Sequence, residues 1–274
     1  MKKVNYSLAL NVILSVLVIA LVTVLLVMRH EVTEPVTGQE EMPTERQLSE
    51  VPKPKGTIVI IIDDFGYRND EISDGFLALD VPITCAIIPG HRNSATFAQK
   101  AISAGKEVII HMPMESHSET QGEDEYILKT VMTSTELESR IRRAYSEIPQ
   151  AIGMNNHQGS KATEDSRVMR VLALTLKDLG KFFVDSRTTA KSIGEKTMQR
   201  IGVKTRRRNV FLDNEFDPAL IQEQLVELVE KSDKWGLALG IGHAKQATLS
   251  VLESEIPRLQ KEGYSFTFVS EIVE

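Results

Sequence analysis

The chain has one cysteine, Cys85, in 274 residues. An intramolecular disulfide and a two-cysteine redox motif are therefore both excluded. Cys85 lies in the apolar run 83–88, so it reads as a buried, inert thiol. Aromatic residues are scarce, 5% of the chain, and the sequence alone locates no ring for stacking on a sugar. Basic residues are also few in any one place. The formal net charge is −6 and the only dense basic cluster is Arg206-Arg207-Arg208, which reads as a solvated loop. Nucleic acid is not an expected partner. A phosphate-cradling glycine loop is missing too, since Gly240-Ile241-Gly242 is too short to make one.

What is present begins with a long uncharged stretch. Residues 8–28 are apolar apart from Asn11, Ser15 and Thr23, and about 20 such residues on a helix match the hydrocarbon thickness of a bilayer. The alternative, a cleaved signal peptide, has an apolar core of about 7–15 residues and a small-residue cleavage site. Val27-Met28-Arg29-His30 offers no such site. Residues 8–28 are therefore expected to form a transmembrane anchor. Lys2 and Lys3 precede it and an acidic segment follows, which keeps residues 1–7 in the cytoplasm and exports the rest to the periplasmic or cell-surface side. Residues 29–55, rich in Glu, Pro, Thr, Gln and Lys, cannot bury enough apolar surface to offset chain entropy and read as a disordered tether. Residues 56–274 then form one domain.

Within that domain, short β-branched runs alternate with segments of helical period. Strands are expected at 57–62, 83–88, 107–110, 151–154, 182–184, 210–212, 237–241 and 265–269, with helices near 70–79, 93–104, 134–147, 163–178, 217–232 and 248–262. Ala104-Gly105, Leu179-Gly180 and Glu262-Gly263 stop helical segments just before strands. Repeated βα units of this number predict an α/β fold, a (β/α) barrel of about seven strands, over an open doubly wound sheet. Functional groups should gather at the strands' carboxyl ends.

The polar residues follow that rule. After the first apolar run comes Asp63-Asp64-Phe65-Gly66; after the third, His111-Met112-Pro113-Met114-Glu115; after the fourth, Asn155-Asn156-His157-Gln158-Gly159-Ser160. Later runs lead into Asp185-Ser186-Arg187, Asp213 and Gly242-His243. Adjacent carboxylates repel, and a cation or a functional proton is the usual compensation. Imidazole with carboxylate is the donor set of a catalytic zinc or another first-row divalent metal. Glu115 could be a ligand, a partner of a ligand or a solvated loop acid, while His91 and His117 read as surface histidines.

These residues resemble the polysaccharide deacetylase superfamily and, within it, the divergent, YibQ-like branch, over the whole domain. Ile61-Ile62-Asp63-Asp64-Phe65-Gly66 is similar to that superfamily's T-F-D-D-G strand end, with an added Phe. Gly105-Lys106-Glu107-Val108-Ile109-Ile110-His111 resembles its G-x-E-I-x-x-H motif, with Glu115 at the position of the second histidine. The 155–160 segment, Phe183-Val184-Asp185-Ser186 and Gly242-His243 look like the divergent branch. The resemblance implies Asp63 as general base, Asp64 and His111 as metal ligands and His243 as general acid. With the family's second histidine missing, His157 is expected to complete the metal set, Glu115 and Asp185 are expected as partners of the ligands or as alternative ligands, and Asn156, Gln158, Gly159, Ser160 and Arg187 are expected to contact substrate or the oxyanion. The implied activity is metal-dependent removal of an acyl group from a carbohydrate polymer or glycan fragment. A non-catalytic glycan- or protein-binding module of the envelope is the alternative.

Overall fold

A curled, all-parallel sheet organises the domain. The computed structural model describes residues 19–25, 54–118 and 123–274, and Lys53–Glu274 forms one compact unit. Most of the expected membrane span and tether lies outside the described residues. Residues 19–25 are helical, and among the described residues no helix is long and apolar enough to cross a membrane.

The strands are β1 (Thr57–Phe65), β2 (Thr84–Ile87), β3 (Glu107–Met114), β4 (Gly153–Gln158), β5 (Phe182–Asp185), β6 (Thr205–Arg207), β7 (Val210–Phe211), β8 (Leu237–His243) and β9 (Ser265–Thr267). Their order is β6-β5-β4-β3-β2-β1-β8-β7, with β9 beside the start of β1. The helices are α1 (Glu71–Ala78), α2 (Ser94–Ser103), α3 (Ser134–Glu147), α4 (Ser166–Leu179), α5 (Gly194–Ile201), α6 (Pro218–Trp235) and α7 (Gln246–Lys261). Local chemistry sets their ends. Thr133 and Glu136 form a capping box on α3, Asp70, Asp165 and Asp217 accept backbone N–H bonds at the starts of α1, α4 and α6, and Gly180 closes α4 at φ 66°.

The expected closed barrel is a curled sheet whose outermost strands, β6 and β7, do not pair with each other. One stretch of chain joins these two edges. Arg208 N–H donates to Asp185 O on β5, and Asn209 N–H donates to Leu239 O on β8. The three arginines expected in a solvated loop are part of this crossing. Arg206 pairs with Glu274, Arg207 pairs with Glu195, and Arg208 donates through Nε to Ser186 O at 2.7 Å.

Alternation along the strands divides the core in two. Val59, Ile61, Ala86, Ile109, Val184, Leu239 and Ile241 pack inside the curl with Val269, Ile272 and Val273 of the C-terminal segment. Ile58, Ile60, Ile62, Ile110, Met112 and Met114 pack outward against the helices. The C-terminal segment thus seals the floor, where Glu274 and Thr205 exchange backbone hydrogen bonds. Cys85 is fully buried, and burial pushes its thiol up to about 12, in line with an inert residue.

β1, β3, β4 and β8 all run two to four residues past their apolar stretches. The polar residues expected just beyond the strands are in fact their last rungs. Asp63 lies beside His243, and His111 beside Asn155.

Candidate metal centre

Alternation would send the side chains of Asp63 and Asp64 to opposite faces. The backbone prevents this. Ile62 pairs with Cys85 but Phe65 with Ile87, so β1 carries one extra residue, a bulge. Asp64 adopts φ 67°, a left-handed conformation that costs a non-glycine residue about 1–3 kcal/mol. The result is that both carboxylates face the same histidine. Asp63 Oδ2 and Asp64 Oδ1 stand 3.5 and 3.4 Å from His111 Nε2. Gln158 and Arg187, at φ 54° and 53°, are strained in the same way at the ends of β4 and β5.

Three donor atoms form a small triangle. Asp64 Oδ1 is 3.2 Å from His157 Nδ1 and 3.4 Å from His111 Nε2, and the two ring nitrogens are 3.0 Å apart. Metal–donor bonds of about 2.0–2.2 Å in tetrahedral array require donor separations of about 3.3–3.6 Å, so these residues fit a small divalent cation after a slight outward adjustment. Asp64 Oδ1 is buried with no hydrogen-bond partner. Asn155 sets the tautomer of His111: its Nδ2 donates to Asp63 Oδ1 at 2.7 Å, which leaves its Oδ1 to accept from His111 Nδ1, also at 2.7 Å. His111 Nε2 therefore presents its lone pair to the triangle, the usual arrangement of a metal-ligating histidine.

The electrostatics separate the two aspartates. Burial raises the pKa of Asp63, while His111, His243 and the Asn155 hydrogen bond act against that rise without cancelling it. For Asp64 burial also acts upward, but the imidazoles of His111 and His157, 3.4 and 3.2 Å from Oδ1, win and hold the carboxyl well below the usual range. On the other side of Asp64, His243 Nε2 stands 4.0 Å from Oδ2. Its Nδ1 meets Asp213 Oδ1 at 2.8 Å, and its backbone N–H and the Thr248 hydroxyl donate to Asp213 Oδ2. Although burial opposes protonation, Asp213 raises the imidazole to about 9. His243 is thus oriented, with its protonated form favoured.

Asp63, Asp64, His111, His157 and His243 come together as one cluster, and Gln158 Nε2 lies 3.4 Å from His157 Nε2. Other expected site residues are engaged elsewhere. Glu115 accepts from Thr130 N–H and hydroxyl at 2.6 and 2.7 Å and pairs with Lys161 at 2.7 Å. Against partial burial, these partners lower its pKa to about 2. Asp185 accepts from Ser192 Oγ and from the N–H groups of Arg187 and Glu195, fastening the turn into α5. Asn156 accepts the Ser186 N–H and donates to Gln158 O. Ser160 Oγ accepts the His117 N–H. Gly159 sits at φ 87°, and a Cβ there would lie 2.9 Å from that of Met114, so only glycine fits this close approach.

His117 is exposed, whereas His91 is partly covered, set against Tyr67 with the two rings tilted, and bonded to Glu123. Two residues that the sequence placed at strand ends without a role, Asn155 and Asp213, emerge as positioning groups for His111 and His243. The period of two offered a signal for the first, because His157 facing inward places Asn155 inward as well.

Residues 60–273 match the family described as divergent polysaccharide deacetylase. A Haemophilus influenzae protein is 36% identical over 205 residues, 75% of this chain and 72% of its own length. The Escherichia coli protein YibQ is 35% identical over 204 residues, 74% of this chain and 63% of its own. Both relatives are uncharacterised. Among solved structures, an uncharacterised Agrobacterium tumefaciens protein superposes with a TM-score of 0.75 at 18% identity, covering 80% of this chain and 89% of that one. The catalytic domain of a peptidoglycan N-acetylglucosamine deacetylase from Eubacterium rectale gives 0.54 at 14%, covering 80% and 90%. A CE4 family pseudoenzyme from Bacillus anthracis gives 0.52 at 15%, covering 81% and 66%. At these identities the structures share the fold. The family match and the sequence relatives carry the assignment: the chain belongs to the divergent polysaccharide deacetylase family.

Proposed function

We propose that this protein is a metal-dependent hydrolase of the cell envelope that removes an N- or O-acetyl group from a carbohydrate. The single observation that carries this reading is the donor triangle of Asp64, His111 and His157 with an acid and a base beside it. A set of one carboxylate and two imidazoles suits zinc, with another first-row ion as the alternative. When bound, such an ion supplies Lewis acidity toward an acyl carbonyl and toward water.

The remaining steps belong to side chains. Asp63, fixed by Asn155 beside the triangle, takes a proton from the attacking water. His243, held protonated by Asp213, gives a proton to the leaving amine or alcohol. Atoms balance as acetate and a free amino or hydroxyl sugar. The N-terminal span, as read from sequence, places this chemistry on the extracytoplasmic side of the membrane.

Acetate release from N-acetylated and O-acetylated glycans by the full chain tests the proposal. Asp63→Asn and His243→Ala should each lower the rate by about 10²–10⁴-fold. A protein that binds metal and glycan but releases no acetate would be the non-catalytic binder instead.

A further inference from the structure

Consecutive residues of a strand send their side chains to opposite faces, yet His157 and Gln158, which follow one another at the end of β4, meet. Gln158 lies in register with Met114, whose side chain packs outward against the helices, so a regular strand would turn Gln158 outward as well. A φ of 54° breaks the alternation. The amide swings back to the rim, where Nε2 stands 3.4 Å from His157 Nε2.

The bend is fastened on both sides. Gln158 O accepts from Asn156 Nδ2 and from the Thr188 hydroxyl, each at 2.7 Å. Gly159 continues the left-handed turn at φ 87°, and its carbonyl accepts the N–H and the hydroxyl of Thr163 at 2.9 and 2.8 Å. A left-handed glutamine costs stability, about 1–3 kcal/mol. The fold therefore holds this amide beside the ring against a backbone preference.

The ring supplies a reason. His157 turns Nδ1 toward Asp64 Oδ1 and His111 Nε2, and a nitrogen that ligates a cation offers it a lone pair and carries no proton. The proton of a neutral imidazole then resides on Nε2 and needs an acceptor. Among the described residues, the Gln158 amide is the group that reaches this nitrogen. The two ends of an amide are nearly equal in size, so turning it over brings Oε1 to the place of Nε2. His111 is served in the same manner from its other nitrogen, because Asn155 Oδ1 accepts from Nδ1 and frees Nε2. The two imidazoles face the triangle through opposite nitrogens, and each has its own amide.

We infer that Gln158 is a positioning residue for His157: its amide oxygen accepts the Nε2 proton and so fixes the tautomer and tilt that aim the Nδ1 lone pair at a small divalent cation. This role rests on the metal site proposed above and adds the group that makes His157 a ligand.

The test uses the full chain with zinc as the probe, chelator competition for Kd and ¹⁵N NMR of the imidazoles. In zinc-loaded wild type, His157 should carry its proton on Nε2, and that proton should exchange slowly with water. Gln158→Leu should weaken zinc binding about 10–100-fold, as loss of a ligand's hydrogen-bond partner usually does, and should leave the Nε2 proton in fast exchange. Gln158→Glu keeps an acceptor and should hold zinc within about threefold of wild type or more tightly, a result that a role confined to shaping the turn would not give. A His157 proton on Nδ1 in zinc-loaded wild type, undiminished zinc affinity in Gln158→Leu, or equal weakening in both variants would overturn the inference. The wild-type spectrum decides even where a variant fails to fold. Wild type that binds no zinc would overturn this role together with the metal site. Zinc binding that follows the expected pattern without acetate release would refute the hydrolase reading alone and leave Gln158 in its role.

Discussion

The two ends of the curled sheet are built from the same strands and behave as opposites. At the floor, Val59 and Leu239 meet Val269, Ile272 and Val273 in an aliphatic plug. At the rim, the last inward rungs are Asp63, His111, Asn155 and His243, and Asp64, Gln158 and Arg187 hold left-handed backbone. Burying polar groups and straining backbone both cost stability. The floor supplies cohesion that tolerates a rim of buried polar groups and strained backbone. The contrast teaches that position along a strand, more than strand identity, separates folding from function here.

Substitutions at the two ends should therefore have separable effects. Largest is the loss at the rim: His111→Ala or Asp64→Asn should abolish stoichiometric metal and reduce acetate release below the level of Asp63→Asn, with little change in melting temperature. At the floor, Ile272→Ala should cost about 2–4 kcal/mol of stability, read by denaturant unfolding, and leave metal content intact. Asp64→Gly sharpens the comparison. Relief of its positive φ should stabilise the fold by about 1 kcal/mol while metal is lost. A destabilised glycine variant would contradict the account of strain.

The smallest effect concerns Glu115. Its folded-state pKa lies below the ordinary carboxylate value, so it contributes stability above about pH 4.5 that disappears as pH falls toward about 2. Glu115→Gln should melt below wild type at pH 7, the gap should close on acidification through that window, and metal content should not change. Loss of metal in this variant would return Glu115 to the ligand set.

Much of the framework was legible in the sequence. Runs such as Ile58-Val59-Ile60-Ile61-Ile62 have no partner but a buried strand, and the helix stops before Gly105 and Gly180 locate the βα joints. The strand ends were harder. An apolar run stops at the first polar residue, while the hydrogen-bonded ladder continues through Asp63, His111 and His157. Helix α5 escaped because its only strongly buried apolar side chain is Met198, too little for a helical period. The crossing at Arg208-Asn209 escaped because an arginine run resembles a loop until both sheet edges are known. Within the site, strand-end position pointed to Asp63, Asp64, His111, His157 and His243. The bulge that turns Asp64 inward and the bond from Asp213 to His243 depend on contacts distant in sequence, which local patterns do not encode.

The central claim is that Asp64, His111 and His157 hold one divalent ion. Elemental analysis of the full chain, purified without chelator, tests it most directly alongside His157→Ala and Glu115→Gln. The account predicts about one transition-metal ion per wild-type chain, the same in Glu115→Gln and almost none in His157→Ala. Metal-free wild type, or stoichiometric metal surviving His157→Ala, would contradict it.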